Sequence, residues 1–210
     1  MLDTFLGFGV IFGAGFWVGR YKDIAKYEIH IGEQIVNQTI KAHLPSNQYH
    51  LLQNVTLPTA DTMTTQIDHV LVCSYGIFVI ETKHYAGLVF GSIDNAQWLQ
   101  ITKWDKRKFQ NPLRQNYKHK KELELLLPEI DQKHICSVVV FSGDAEFRTK
   151  MPENVIHARQ MALYIRKFNK ERLSKDDMVT ALGRIQLMRM EESKETDQAH
   201  VKGLKARFNQ

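Results

Sequence analysis

Cysteine is scarce in this chain: Cys73 and Cys136 are the only two in 210 residues. Their separation excludes a zinc-ribbon or zinc-finger spacing, and two thiols are too few for a disulfide scaffold. Both lie in apolar runs, which points to buried free thiols in a reducing compartment. Proline is also sparse, at 5, and glycine stands at 12. Collagen-like, mucin-like and wholly disordered chains are therefore excluded. There is no GxxxxGK[ST], which argues against an ATP-driven motor. The nine histidines include no HExxH and no pair at helical ligand spacing beside a cysteine. Internal repeats and low-complexity stretches are absent too. What remains is the composition of an ordinary globular protein, long enough for one well-buried domain and a small appendage. The formal net charge of +5 leans mildly toward an anionic partner.

The N-terminus differs from that average. Thr4 to Gly19 (TFLGFGVIFGAGFWVG) carries no charge in sixteen residues. As a helix it would be about 24 Å long at roughly 1.5 Å per residue, slightly short of a hydrocarbon core of roughly 30 Å. Leu2, a tilt or local thinning closes the gap. A secretory signal needs a positive region before the apolar stretch, and only Asp3 and the terminal amine precede this one. Arg20, Lys22 and Lys26 follow at once, so the positive-inside bias places the remainder in the cytoplasm. Gly9 and Gly13 are four apart and suit close approach of two such helices. The expectation is a single-pass anchor with the rest of the chain cytoplasmic; the alternative is a buried core helix in a cytoplasmic protein.

From Tyr21 onward the pattern is α/β. Helical periodicity covers 26–43, and a first strand covers 49–57. Runs 66–73 and 76–83 form an antiparallel hairpin about a Ser-Tyr turn, and short strands follow at 87–93 and 97–103. A helix opens at Asn111-Pro112 and runs to Leu127. The apolar run 134–141 reads as a fully buried strand. Helices over 157–170 and 174–190 finish the fold, and the last twenty residues fray. The expected architecture is a mixed central β-sheet flanked by helices, preceded by the N-terminal hydrophobic helix. Three regions follow: 1–20, 21–145 and 146–210.

In the hairpin a two-residue turn pairs Cys73 with Gly76 and sets Asp68 opposite Glu81, with Lys83 on the same face. Two facing carboxylates repel unless a cation lies between them. A hard divalent ion with oxygen ligands is one occupant, with a lysine nearby to orient water. A simple salt bridge from Lys83 to one acid is the other reading. Glu33 adds to this, because it interrupts the apolar stripe Ile29, Val36, Ile40 of the first helix. An unpaired ionised acid there is costly, so it calls for a lysine, a metal or neutral burial. His69 and His84 flank the hairpin acids but point to the opposite face, as core groups or supports.

Basic charge is concentrated elsewhere. Lys103, Lys106, Arg107, Lys108, Arg114, Lys118, Lys120 and Lys121 stand against Asp105 alone, a local surplus of +7 that leaves about −2 for the rest. Beside Trp98, Trp104 and Phe109, this run suits a phosphate backbone with base stacking. A solvated helix face and adhesion to anionic lipid are the alternatives.

Gly32-Glu33, TQIDHV (65–70), YGIFVIETKHYAG (75–87), Trp98 and NPLRQN (111–116) together resemble the nuclease-related (NERD) domain, a member of the PD-(D/E)xK nuclease superfamily. The resemblance spans about residues 28–125 with the order and spacing of the blocks intact. It implies a restriction-endonuclease-like core and phosphodiester hydrolysis dependent on Mg²⁺ or Mn²⁺. By position, Asp68 and Glu81 are the implied metal ligands, with Lys83, Glu33 and Gln115 as the implied catalytic set. Ile67 replaces the superfamily's proline, as NERD domains commonly show. The implied partner is nucleic acid, DNA ahead of RNA. A nuclease-like fold that binds nucleic acid or acts as a scaffold without turnover is the rival.

Overall fold

A computed structural model describes residues 30–59, 63–191 and 193. Helix α1 (residues 30–43) is followed by strands β1 (His50–Pro58), β2 (Thr64–Cys73), β3 (Gly76–Lys83), β4 (Gly87–Phe90), β5 (Gln97–Ile101) and β6 (Lys106–Gln110). Helix α2 (Pro112–Leu126), strands β7 (Ile135–Phe141), β8 (Ala145–Phe147) and β9 (Val155–His157), and helices α3 (Met161–Arg166) and α4 (Lys175–Met188) come next. The expected anchor, with Gly9 and Gly13, lies outside the described residues, as does nearly all of the tail expected to fray. Among the described residues no helix is long and apolar enough to cross a membrane.

The central sheet has the order β1-β2-β3-β7-β9 and is mixed. Strands β1, β2 and β3 are antiparallel neighbours, whereas β7 runs parallel to both β3 and β9. The hairpin register is as expected, with Cys73 paired to Gly76. Alternation along β3 sorts the core into two faces. Phe78 and Ile80 pack with Val36 and Ile40 of α1 and with Met161 and Ile165 of α3. Ile77 and Val79 pack with Leu123 of α2 and with Ala181 and Ile185 of α4. Both sheet faces are thus covered, which is why β7 reads as a continuous apolar run.

A second sheet, β6-β5-β4-β8, packs its aromatic face against the end of β7. Trp98 stacks on Phe141 with ring centroids 6.4 Å apart. Gly91 lets that indole in: a Cβ there would sit 2.3 Å from the Trp98 ring.

Two expectations needed correction. Residues 157–170 are not one helix: Val155–His157 add a strand to β7, and α3 spans only Met161–Arg166. The edge of β7 takes His157 into the strand, and a 3-10 turn at Ala158–Gln160 leads into the short α3. The strand at 97–103 ends at Ile101, and Lys106–Gln110 return as its antiparallel partner. The basic run is therefore split between an edge strand and helix α2.

Helix α2 is held by two buried asparagines. Asn111 caps its N-terminus, accepting from Leu113 N at 2.9 Å. Its Nδ2 faces three carbonyls, Asn95 O at 2.7 Å, Ser92 O at 3.1 Å and Ile93 O at 3.3 Å. Asn116 Nδ2 reaches Val79 O at 2.8 Å and Val138 O at 3.0 Å, latching the helix to β3 and β7. Asn111→Ala is expected to lower stability by about 2–4 kcal/mol, combining a lost cap with unsatisfied buried carbonyls. Asn111→Asp keeps the cap but cannot donate, and should lose at least as much. Urea unfolding midpoints check both; an Asp variant as stable as wild type would show that the three carbonyl contacts contribute nothing.

Candidate active site

Four elements converge at the C-terminal end of β3. Glu81 and Lys83 share the face that looks at α2, and Lys83 Nζ donates to Glu81 Oε1 at 2.6 Å and to Gln115 Oε1 at 3.1 Å. Asp68 stands on β2, and its Oδ2 accepts from Thr82 N at 2.7 Å. Glu33 comes in on α1, whose Gly32 lets the helix close on the chain beyond β3: a Cβ there would lie 2.6 Å from His84 Cβ.

Asp68 is not the simple ladder partner of Glu81. The β2–β3 ladder ends at His69↔Ile80, and the β1–β2 ladder passes from Gln53↔His69 to Val55↔Ile67. Asp68 and Asn54 are left out of both, and Asn54 takes a left-handed φ of 49°. Ile67 packs on the α2 side of the sheet, as do Val70 and Val72, so alternation breaks across Asp68. This local irregularity frees the Asp68 carboxylate from a sheet face and turns it to the main chain of β3.

The electrostatics are those of three acids around one lysine. Burial pushes the Asp68 carboxyl well above its usual range, and the charges of Glu81 and Glu33 push it further, against Lys83 and the Thr82 amide. Glu33 is raised to about 7, first by burial and then by Glu81. Glu81 is also penalised by burial, yet Lys83 and His119 hold it below its ordinary value. Lys83 suffers burial as well, but Glu81 and Asp68 outweigh that and raise it, so it is a fixed ammonium and no base.

His119 belongs to this group and was not singled out from the sequence. It is buried on α2, with Nδ1 2.7 Å from Thr65 Oγ1 and Nε2 3.3 Å from Glu81 Oε2. The second approach is close but misaligned, so neither atom completes a hydrogen bond. Its signal was available: it lies one helical turn after Gln115 on the same face. His69 fits the core reading, since burial lowers it to about 4. His84 rests on Ser142 Oγ at 3.2 Å.

The donor set fits a hard divalent cation in one respect. Carboxylate oxygens outnumber the single ammonium, and the buried Glu81 Oε2 has no aligned donor. Among the described residues no three His, Cys, Asp or Glu side chains form a cage that could hold a metal ion. Magnesium commonly needs only one or two carboxylates with water and substrate completing its shell. Asp68 and Glu81, with Glu33 behind them, are the groups that would hold it.

The basic residues are not equivalent. Arg107 turns inward, donating to Gln100 Oε1 at 2.7 Å and lying 5.0 Å over Tyr85. Lys120 and Lys121 pair with buried Glu124 at 3.2 and 2.6 Å. Arg114 donates to Asp94 O at 2.6 Å. Lys103, Lys106, Lys108 and Lys118 are exposed. Trp98 and Phe109 are packed inside, whereas Trp104 is not. Both cysteines are free thiols, Cys73 buried and Cys136 half-buried.

A family profile described as the nuclease-related domain matches residues 30–142, a span that holds every group named above as site-forming. An uncharacterized protein of Bacillus anthracis is 31% identical over 195 residues, covering 89% of this chain and 88% of that protein. No solved structure matches the chain.

Glu33 gives a pH test. An unfolded Glu titrates near 4.5 and the folded one at about 7, so the folded state binds more protons between those values. Stability therefore falls as pH rises through that window. Glu33→Gln should match wild type near pH 4 and exceed it above pH 7 by roughly 1–2 kcal/mol, discounted for partial exposure. Thermal unfolding in EDTA at pH 5 and pH 8 measures this; a Gln variant no more stable at pH 8 would remove Glu33 from the coupled acids.

Proposed function

The chain belongs to the nuclease-related domain family, and from that premise we propose that it is a metal-dependent nuclease hydrolysing phosphodiester bonds, with DNA ahead of RNA as substrate. The observation that carries this is the group of buried Glu81 and half-buried Glu33 and Asp68 around the single ammonium of Lys83. Such an excess of carboxyl groups over cations, with Asp68 and Glu33 pushed toward their protonated forms, is what a divalent-ion site offers before the ion arrives.

The residues have distinct tasks. Asp68 and Glu81 would hold Mg²⁺ or Mn²⁺, and Glu33 adjusts the charge behind them. When bound, such an ion supplies a Lewis acid that polarises the phosphodiester and lowers the pKa of the attacking water. Lys83, permanently charged, orients that water and offsets charge developing on the phosphate oxygens. Gln115 steadies the Lys83 ammonium at 3.1 Å. Thr65 fixes the His119 ring so that its other nitrogen stands beside Glu81.

The uncharged run Thr4–Gly19 and the basic flank Arg20, Lys22, Lys26 support a tether to the cytoplasmic face of a membrane. Gly9 and Gly13 then offer a pairing surface within the bilayer.

Cleavage of labelled single- and double-stranded DNA and RNA with Mg²⁺, Mn²⁺ or EDTA tests the activity. Asp68→Ala and Glu81→Ala should abolish metal-dependent cutting, while Asp68→Ala folds as well as wild type because a buried carboxylate is removed. Lys83→Ala should slow cutting by orders of magnitude with a smaller effect on metal affinity. Undiminished cleavage by Asp68→Ala would sink the site assignment; metal and nucleic-acid binding without any cutting would mean a silent binding protein. For the tether, full-length protein should stay with membranes through a carbonate wash. Arg placed at Ile11 should release it, since a mid-span charge costs about 2.5–3.5 kcal/mol on insertion scales. Wild type found wholly in the soluble fraction would leave the segment as part of a folded domain.

A further inference from the structure

The tip of the β5–β6 hairpin holds an arrangement that the central site does not use. Residues Thr102 to Asp105 form a closed turn, with Thr102 N donating to Asp105 O at 2.8 Å. Thr102 Oγ1 accepts from Asp105 N at 2.9 Å and from Trp104 N at 3.3 Å, so the main chain at the tip is fixed. The result is a tryptophan held outward, 85% exposed. An indole held outward on a fixed turn offers a ready face for a stacking ligand.

The surroundings indicate which one. Lys103 Nζ stands 4.7 Å from the centre of the Trp104 ring. Lys106 and Lys108 project from β6 on the face opposite the inward pair Arg107 and Phe109. Asp105 is the only acid on this hairpin. A planar aromatic surface with one lysine over it and two more along the adjoining strand complements a base on a sugar-phosphate strand.

The tip is also near the acids. Lys83 and Gly87 are four residues apart, at most about 14 Å. Gly87 abuts the end of β5, where a Cβ would lie 2.5 Å from Ile101 O and 3.3 Å from Thr102 Cα. Trp104 is therefore within roughly 25 Å of Lys83, a few nucleotides along one strand.

We infer that Trp104 is a base-stacking platform that, with Lys103, Lys106 and Lys108, makes this protein prefer single-stranded nucleic acid over duplex. The inference rests on the nucleic-acid reading given above and names the form of that substrate. In a duplex every base face is already stacked on its neighbours, and the tip has nothing to hold. An unpaired strand offers a free base to the indole while its phosphates reach the lysines.

Fluorescence anisotropy of the full-length chain with labelled dT20 and with a labelled 20-base-pair duplex tests this, in EDTA and at one fixed salt concentration. Wild type should bind dT20 more tightly than the duplex. Trp104→Ala should weaken dT20 binding by about 5- to 150-fold, the range expected for one lost base stack. Its duplex binding should change less than about twofold, and Trp104→Phe should keep most of the dT20 affinity. Trp104→Ala binding dT20 like wild type, or losing duplex and dT20 equally, would overturn the platform while leaving the nuclease reading standing. Wild type that binds neither probe would overturn the platform, and absence of cleavage with Mg²⁺ or Mn²⁺ as well would overturn both. Unchanged dT20 binding together with lost binding to phosphatidylglycerol vesicles would make the tip a membrane contact instead.

Discussion

Three carboxylates share one half-buried ammonium, and the arrangement of the elements around them follows from accommodating them. Asp68, Glu81 and Glu33 come from β2, β3 and α1, so no two adjacent turns of one element carry the repulsion. Lys83 must reach back two residues along its own strand to touch Glu81, which ties the ammonium to the end of β3. That end is open because β3 leaves the central sheet there and β4 begins the second one. The acids thus sit where a main-chain crossing leaves room beside a rigid strand, and the strand itself is fixed by paired neighbours on both sides.

Helix α2 converts that position into a defined geometry. Asn111 fixes its start against the β4–β5 connection, and Asn116 fixes its height on β3 and β7. Gln115 and His119 flank Asn116, so both candidate site side chains inherit a placement already set by buried amides. The same reasoning applies to Thr65, whose hydroxyl holds the His119 ring from the far strand. A side chain that must meet Glu81 within a few tenths of an ångström is better supported by such contacts than by a loop.

Much of this was legible in the sequence because it is local. The Ser74-Tyr75 turn sets the hairpin register, Asn111-Pro112 starts α2, and an acid in the α1 stripe marks Glu33. What escaped depends on distant partners. The strand at Val155–His157 exists because β7 offers a free edge, and β6 exists because Arg107 and Phe109 find Tyr85 and Trp98. The break at Asp68 arises from two ladders failing at one residue, with Asn54 twisted opposite, and neither strand announces it alone. Arg107 is indistinguishable in sequence from the other bases of the run, yet its guanidinium lies over the Tyr85 ring.

The two sheets separate charge by sign. The end of the central sheet carries three acids around one ammonium, and the hairpin of the second sheet carries exposed lysines with Asp105 as its one acid. Neither group can neutralise the other, since the acids lie under α1 and α2 while Lys106 and Lys108 face solvent from an edge strand. Edge lysines also discourage strand-to-strand association, a sufficient reason for Lys106 and Lys108 on their own. It is not a sufficient reason for Trp104, because an exposed indole promotes the contacts that edge lysines prevent. On the proposed reading one ligand answers both demands: a phosphodiester strand supplies anions and bases to the hairpin and carries its cleavable bond, with a divalent ion, to the acids.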